Sequence, residues 1–72
     1  MKMGDLTPGQ VGRVEYIDEG GGRLEDLGLI RGSEVRCLFR APMGDPTAYL
    51  IKGAAVALRK RDAGKVHLSP WA

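Results

Sequence analysis

Few side chains in this sequence are of the kind that make or break bonds. There is one histidine, His67, one cysteine, Cys37, and two serines, Ser33 and Ser69. Ser69 follows His67 by two residues, and alternation along a strand would put both on one face. Nucleophilic catalysis also needs a third group to orient the base. None accompanies this pair, so no catalytic residue is assigned and the chain is read as not an enzyme. His67 sits between Val66 and Leu68, which places it on the solvent side of its strand.

A metal site needs three or four converging Cys, His, Asp or Glu side chains. Cys37 and His67 stand far apart in sequence, and Cys37 has the parity of a small core hydrophobe. The pairs Asp18-Glu19 and Glu25-Asp26 read as solvated loop charges. Gly20-Gly21-Gly22 leads into a helical turn, but no Lys-Ser/Thr follows it and Asp18 and Glu19 would repel phosphate. No metal ligand set and no cofactor is evident.

A lone cysteine cannot form an intramolecular disulfide, which points to the cytoplasm. The residues after Met1 lack the apolar core of a signal peptide. The longest apolar run, Ala54-Ala55-Val56-Ala57-Leu58, has five residues, far short of the ~20 that span a membrane. No direct membrane insertion is expected. Net charge is +2, unevenly spread: residues 1–34 carry −3 and residues 35–72 carry +5. Lys52, Arg59, Lys60, Arg61 and Lys65 gather after residue 50, a basic stripe of the kind that binds nucleic acid. Stacking aromatics are scarce, however. Phe39 has core parity, and Tyr16, Tyr49 and Trp71 are scattered.

The elements that position these groups are short. The 72 residues form one domain, with a core at about residues 5–68 and a tail over 69–72. Thr7-Pro8-Gly9-Gln10 has the type II turn pattern. A strand over Val11–Ile17 follows, in which Val14 and Tyr16 share one parity and Val11 and Ile17 the other, as a bulge or burial on both faces would allow. Leu24 and Leu27 lie on one side of a short helix, clamped to the sheet by its leucines. Gly28 stands at C′, where Leu24 and Leu29 would meet in a Schellman motif. Ile30-Arg31-Gly32-Ser33 is a second turn.

Val35, Cys37, Phe39 and Ala41 alternate with charged residues, and only Leu38 breaks the pattern. After the loop Ala41–Pro46 come strands at Thr47–Lys52 and Ala54–Arg59, a 3₁₀ turn at Arg61–Gly64, and a last strand holding Val66 and Leu68. Five strands and one clamped helix in a mainly β chain predict a small SH3-like barrel, with an OB-like barrel as the rival. Leu50 falls between Tyr49 and Ile51, so it faces water if they face the core. Trp71 is a second candidate anchor for a partner.

In order and spacing, several blocks resemble the FeoA family, a cytoplasmic accessory protein of bacterial ferrous iron uptake. They are Leu6-Thr7-Pro8-Gly9, Val14, Arg23 to Leu29 with Gly32 and Val35, Ala41 to Pro46, Gly53, Ala57-Leu58-Arg59, and Asp62-Ala63 before Val66. The likeness covers Leu6 to Leu68. Arg31 stands where that family often has proline, Asp62 where glutamate is usual, and Leu50 at a place often polar. The resemblance implies an SH3-like barrel and a partner, the FeoB membrane permease with its cytoplasmic GTPase domain. It implies a non-enzymatic role in modulating the GTPase and transport cycle of that partner. Descriptions of the family speak of transition-metal binding, and the C-terminal domain of DtxR-type iron-dependent repressors is similar. The candidate partner contacts are Leu29, Ile30, Arg31, Leu50, Arg59, Lys60 and Arg61. The alternative function is a small nucleic-acid-binding module. No feature fixes the oligomeric state.

Overall fold

A computed structural model of the chain describes residues 1–20 and 22–70. Trp71, a predicted partner anchor, and the middle glycine of the predicted triglycine connection lie outside the described residues. The elements are β1 (Val11–Ile17), α1 (Gly22–Asp26), β2 (Glu34–Arg40), β3 (Thr47–Ile51), β4 (Ala54–Leu58), α2 (Lys60–Ala63) and β5 (Val66–Pro70), preceded by a 3₁₀ turn at Met3–Asp5. The strands form one antiparallel sheet in the order β4-β3-β2-β1-β5. No ladder joins β4 to β5 among the described residues. The predicted barrel is therefore a curled five-stranded sheet that hydrogen bonds leave open at one seam.

The inner face of the sheet carries the core. Val35 lies opposite Ile51, Cys37 opposite Tyr49, and Val14 opposite Leu68, and all are buried. Each large aliphatic side chain enclosed this way contributes about 1.5–3 kcal/mol. Gly12 lies between Val35 on β2 and the β5 strand. A Cβ there would sit 2.8 Å from Leu68 Cδ1, so only glycine lets Leu68 fill this part of the core.

Two register shifts decide which side chains reach water. The ladder of β1 with β5 slips between Val14 and Tyr16. This is the expected bulge, and it sends Tyr16 outward while Val14 stays in. A second slip, between Cys37 and Phe39, breaks the β2–β3 ladder at Leu38. It reverses the parity predicted for Phe39, which is 62% exposed. The extra residue turns the side chains beyond it to the opposite face.

The end of α1 follows the predicted cap. The N–H of Gly28 donates to Glu25 O at 2.9 Å and that of Leu29 to Leu24 O at 3.3 Å, the paired bonds of a Schellman motif. Leu24 and Leu29 are buried and clamp the helix, whereas Leu27 is exposed and takes no part. The turn predicted as 3₁₀ at Arg61–Gly64 is α-helical and starts one residue earlier, with Ala63 N–H on Arg59 O and Gly64 N–H on Lys60 O, both at 3.0 Å.

The N-terminal segment packs closely. Met3 and Leu6 are fully enclosed. Arg40 Nη2 donates to Leu6 O at 2.7 Å and Gly4 O at 3.3 Å, and Tyr49 Oη donates to Met3 O at 3.4 Å. Lys2 bridges His67, and Leu68 N–H donates to Met1 O at 2.7 Å. The outer edge of β5 is thereby covered.

Candidate functional site

The chemistry-bearing side chains do not converge. His67 Nε2 lies 2.9 Å from Asp18 Oδ1, and its ring stacks on Tyr16 with centroids 4.1 Å apart and planes 9° apart. The bulge at Glu15 makes this possible by bringing Tyr16 opposite His67. His67 is thus partly covered rather than free in solvent. Ser69 Oγ donates to Arg13 O at 3.5 Å, so it is engaged away from the imidazole. Among the described residues, His67 contacts the side chains of Asp18 and Tyr16, neither of them a serine or cysteine nucleophile. Cys37 is enclosed, and burial pushes its thiol pKa up, only partly opposed by the Arg40 guanidinium. A protonated, enclosed thiol is neither a nucleophile nor a ligand.

The predicted partner contacts separate into three. Leu29 has no exposed surface because the Schellman cap draws it under α1. Ile30, 50% exposed, and Arg31 stand at the tip of a turn closed by Ser33 N–H on Ile30 O at 2.9 Å. Leu50 is 36% exposed on the outer face, opposite Arg36 on β2 and Ala55 on β4. A shallow depression lined by Ser33, Glu34, Leu50, Lys52 and Gly53 runs from that turn to Leu50. Ser33 and Glu34, at the end of that turn, thus share a depression with Leu50, while Ile30 and Arg31 are not among its lining residues.

Arg59, Lys60 and Arg61 lie at the other end of the β3–β4 hairpin, beyond the Thr47–Leu58 pair. Arg59 Nη1 is 3.8 Å from Asp45 Oδ2, and Lys60 N–H donates to Asp45 Oδ1 at 2.8 Å. Asp45 caps α2 from the loop before β3, since Arg59 at the N-cap position provides no side-chain bond.

Two surface features escaped sequence reasoning. Phe39 lies opposite Ala48, and Ala48 opposite Ala57, so an apolar row runs across the outer face next to Leu50. Only the break at Leu38 in the strand pattern hinted at it. The second is a groove of about 460 Å³ between α1, β4 and α2, with Arg23, Arg61 and Lys65 on its walls. Those cations come from two distant segments, Arg23 on α1 and Arg61 with Lys65 at α2, so no local motif marks it.

The family model of the FeoA domain matches residues 1–70. No curated protein sequence matches the chain. Among solved structures, the chain is similar to the FeoA protein of Chlorobium tepidum, at 31% identity and TM-score 0.91, over 100% of this chain and 71% of that one. It is similar to Stenotrophomonas maltophilia FeoA, solved with zinc and described as a prokaryotic SH3 domain protein, at 26% identity and TM-score 0.85, over 96% of this chain and 89% of that one. A manganese-dependent transcriptional repressor shares the fold alone, at 21% identity and TM-score 0.87, over 99% of this chain and 36% of that one. With that match across nearly its whole length, and an SH3-like sheet to go with it, the chain belongs to the FeoA domain family.

Proposed function

We propose that this protein is a non-enzymatic accessory factor of ferrous iron uptake that binds the cytoplasmic part of a FeoB-type permease and biases its GTPase and transport cycle. Family membership supports the iron-uptake role. The exposed Leu50, opposite Arg36 on the outer face of the sheet, is the observation that carries docking, because an exposed leucine beside an arginine suits a protein contact better than bulk water. No helix among the described residues is long and apolar enough to cross a membrane. The permease is the membrane element in this reading.

The donor set does not fit a resident metal ion. Among the described residues no group of three or more His, Cys, Asp and Glu side chains could hold one. His67 and Asp18 form only a pair, and Cys37 is enclosed. Iron is accordingly treated as the cargo of the partner. A bound protein shifts a conformational equilibrium only through different affinities for its states. The factor must therefore prefer one nucleotide state of the permease.

The test is calorimetric titration into the cytoplasmic domain of the cognate permease, loaded with GDP or with a non-hydrolysable GTP analogue. Affinity that differs between the two states and falls about tenfold or more with Leu50→Asp is the expected outcome. Equal affinity in both states overturns the regulatory reading. No binding in either state overturns docking on that domain.

A further inference from the structure

The two edges of the sheet are treated differently. Met1 and Lys2 cover β5, but β4 has no neighbour beyond β3 among the described residues. The hairpin turn at Lys52–Gly53, with φ of 49° and 80°, makes Ile51 and Ala54 the hydrogen-bonded pair beside the turn. Alternation along the ladder then turns the N–H and C=O groups of Ala55 and Ala57 away from β3. No backbone partner for them occurs among the described residues. Sheet edges are ordinarily blunted by a charge, a proline or a bulge. β4 reads Ala-Ala-Val-Ala-Leu and pairs with β3 without a register shift.

The groove between α1, β4 and α2 runs along this edge. A strand added to β4 would lie about 4.8 Å away, alongside the groove's Val56, Ala57 and Leu58. Leu24, Leu27 and Val56 give the groove apolar walls, and Arg23, Arg61 and Lys65 outnumber its one acid, Asp62. A second copy of the chain, pairing β4 with β4, would bring two sets of those cations together, which like-charge repulsion opposes. A segment that alternates carboxylate and apolar side chains answers both the charge and the walls.

We propose that the free edge of β4 takes an extended acidic peptide segment of a partner protein as a sixth strand, held by the outward backbone groups of Ala55 and Ala57 and by Arg23, Arg61 and Lys65. The proposal is independent of the permease reading, which rests on the end of the molecule around Leu50.

The test is an NMR titration of the full chain, ¹⁵N-labelled, with a heptapeptide alternating glutamate and valine, and with its lysine-valine counterpart as control. The glutamate peptide is expected to bind at least ~10-fold tighter than the lysine one. Its largest shifts should fall on the amides of Ala55 and Ala57, and the hydrogen exchange of both should slow by about tenfold or more at saturation. Arg23→Glu combined with Arg61→Glu should weaken binding by about tenfold. Ala57→Pro removes one outward N–H and should abolish binding while the rest of the spectrum stays dispersed. If that variant does not fold, amide exchange in the unmodified protein decides. Equal binding of both peptides, or binding with no change at Ala55 and Ala57, overturns the proposal. So does protection of those amides that grows with protein concentration alone, which would make a second copy the occupant. An oligothymidylate that displaces the glutamate peptide and matches its shifts would make the groove a phosphate track and overturn it as well. None of these results touches the permease titration.

Discussion

Ser33 Oγ donates to the carbonyl of Gly28 at 2.9 Å and accepts the N–H of Ile30 at 3.2 Å, so one buried hydroxyl joins the end of α1 to the turn that follows. It satisfies two backbone groups that the Schellman cap leaves over. Ile30 N–H also donates to Gly28 O at 3.1 Å, so Ser33→Ala removes the hydroxyl's bonds without stranding either group, and a loss of about 0.5–1.5 kcal/mol is expected. Urea unfolding should show a lower midpoint with an unchanged slope. An unchanged midpoint would mean that water replaces the hydroxyl without loss.

Gly28 and Lys52 touch, and both adopt left-handed backbone conformations, with φ of 97° and 49°. Gly28→Ala should destabilise by about 1–2 kcal/mol through backbone strain. Its new Cβ would also sit 2.9 Å from Lys52 Cγ. The lysine chain can swing aside, so the loss should persist in a Lys52→Ala background. If it vanishes there, crowding and not the backbone is the cause. Conversely, Lys52→Asn puts the preferred Asn-Gly pair into the hairpin turn and should raise stability by up to about 1 kcal/mol.

Burial pushes up the pKa of both the Cys37 thiol and the Tyr49 phenol. The folded protein thus holds these protons to higher pH than the unfolded chain does. Their contribution to stability is complete below the ordinary thiol value of 9.0 and declines as pH rises past it. Chemical denaturation from pH 7 to pH 11 should show the midpoint dropping above about pH 9. Cys37→Val should shift the onset upward, toward the tyrosine range. A midpoint that stays flat to pH 11 would contradict this ordering.

The stacked rings of Tyr16 and His67 sit at the β1 bulge. A double-mutant cycle with Tyr16→Ala and His67→Ala should give a coupling energy of about 0.5–1.5 kcal/mol. Coupling near zero would mean that the stacking is incidental to the bulge.

Much of the fold was legible because its turns carry their own chemistry. Thr7-Pro8-Gly9-Gln10 closes with Gln10 N–H on Thr7 O at 2.9 Å, and the spacing of Leu24, Gly28 and Leu29 gave the helix cap its full bond pattern. Leu50 lies outward because Tyr49 and Ile51 point in. Phe39 shows where such reading stops: one extra residue at Leu38 inverts the alternation beyond it, and register depends on the partner strand. The N-terminal turn was missed for a related reason. Met1 to Leu6 has no local pattern, and its order comes from Arg40, Tyr49 and β5, far away in sequence. At the candidate site the individual exposed residues were legible, but not their grouping. Leu50 meets Arg36 and shares a depression with Ser33 and Glu34 only once β2 and β3 pair, and Leu29 was drawn inward by the same cap that sequence had located.

The Met1 amino nitrogen lies 3.4 Å from the carbonyl of Leu68. The chain thus begins beside its last strand, two residues before that strand ends at Pro70. A unit with that geometry can be spliced into a loop of another polypeptide, or strung after another domain, without stretching either one. Circular permutants that link the region of residue 68 to Met1 through a short glycine bridge and open at an exposed turn should keep the same sheet. The same shape recurs within a repressor chain, of which it matches 36%.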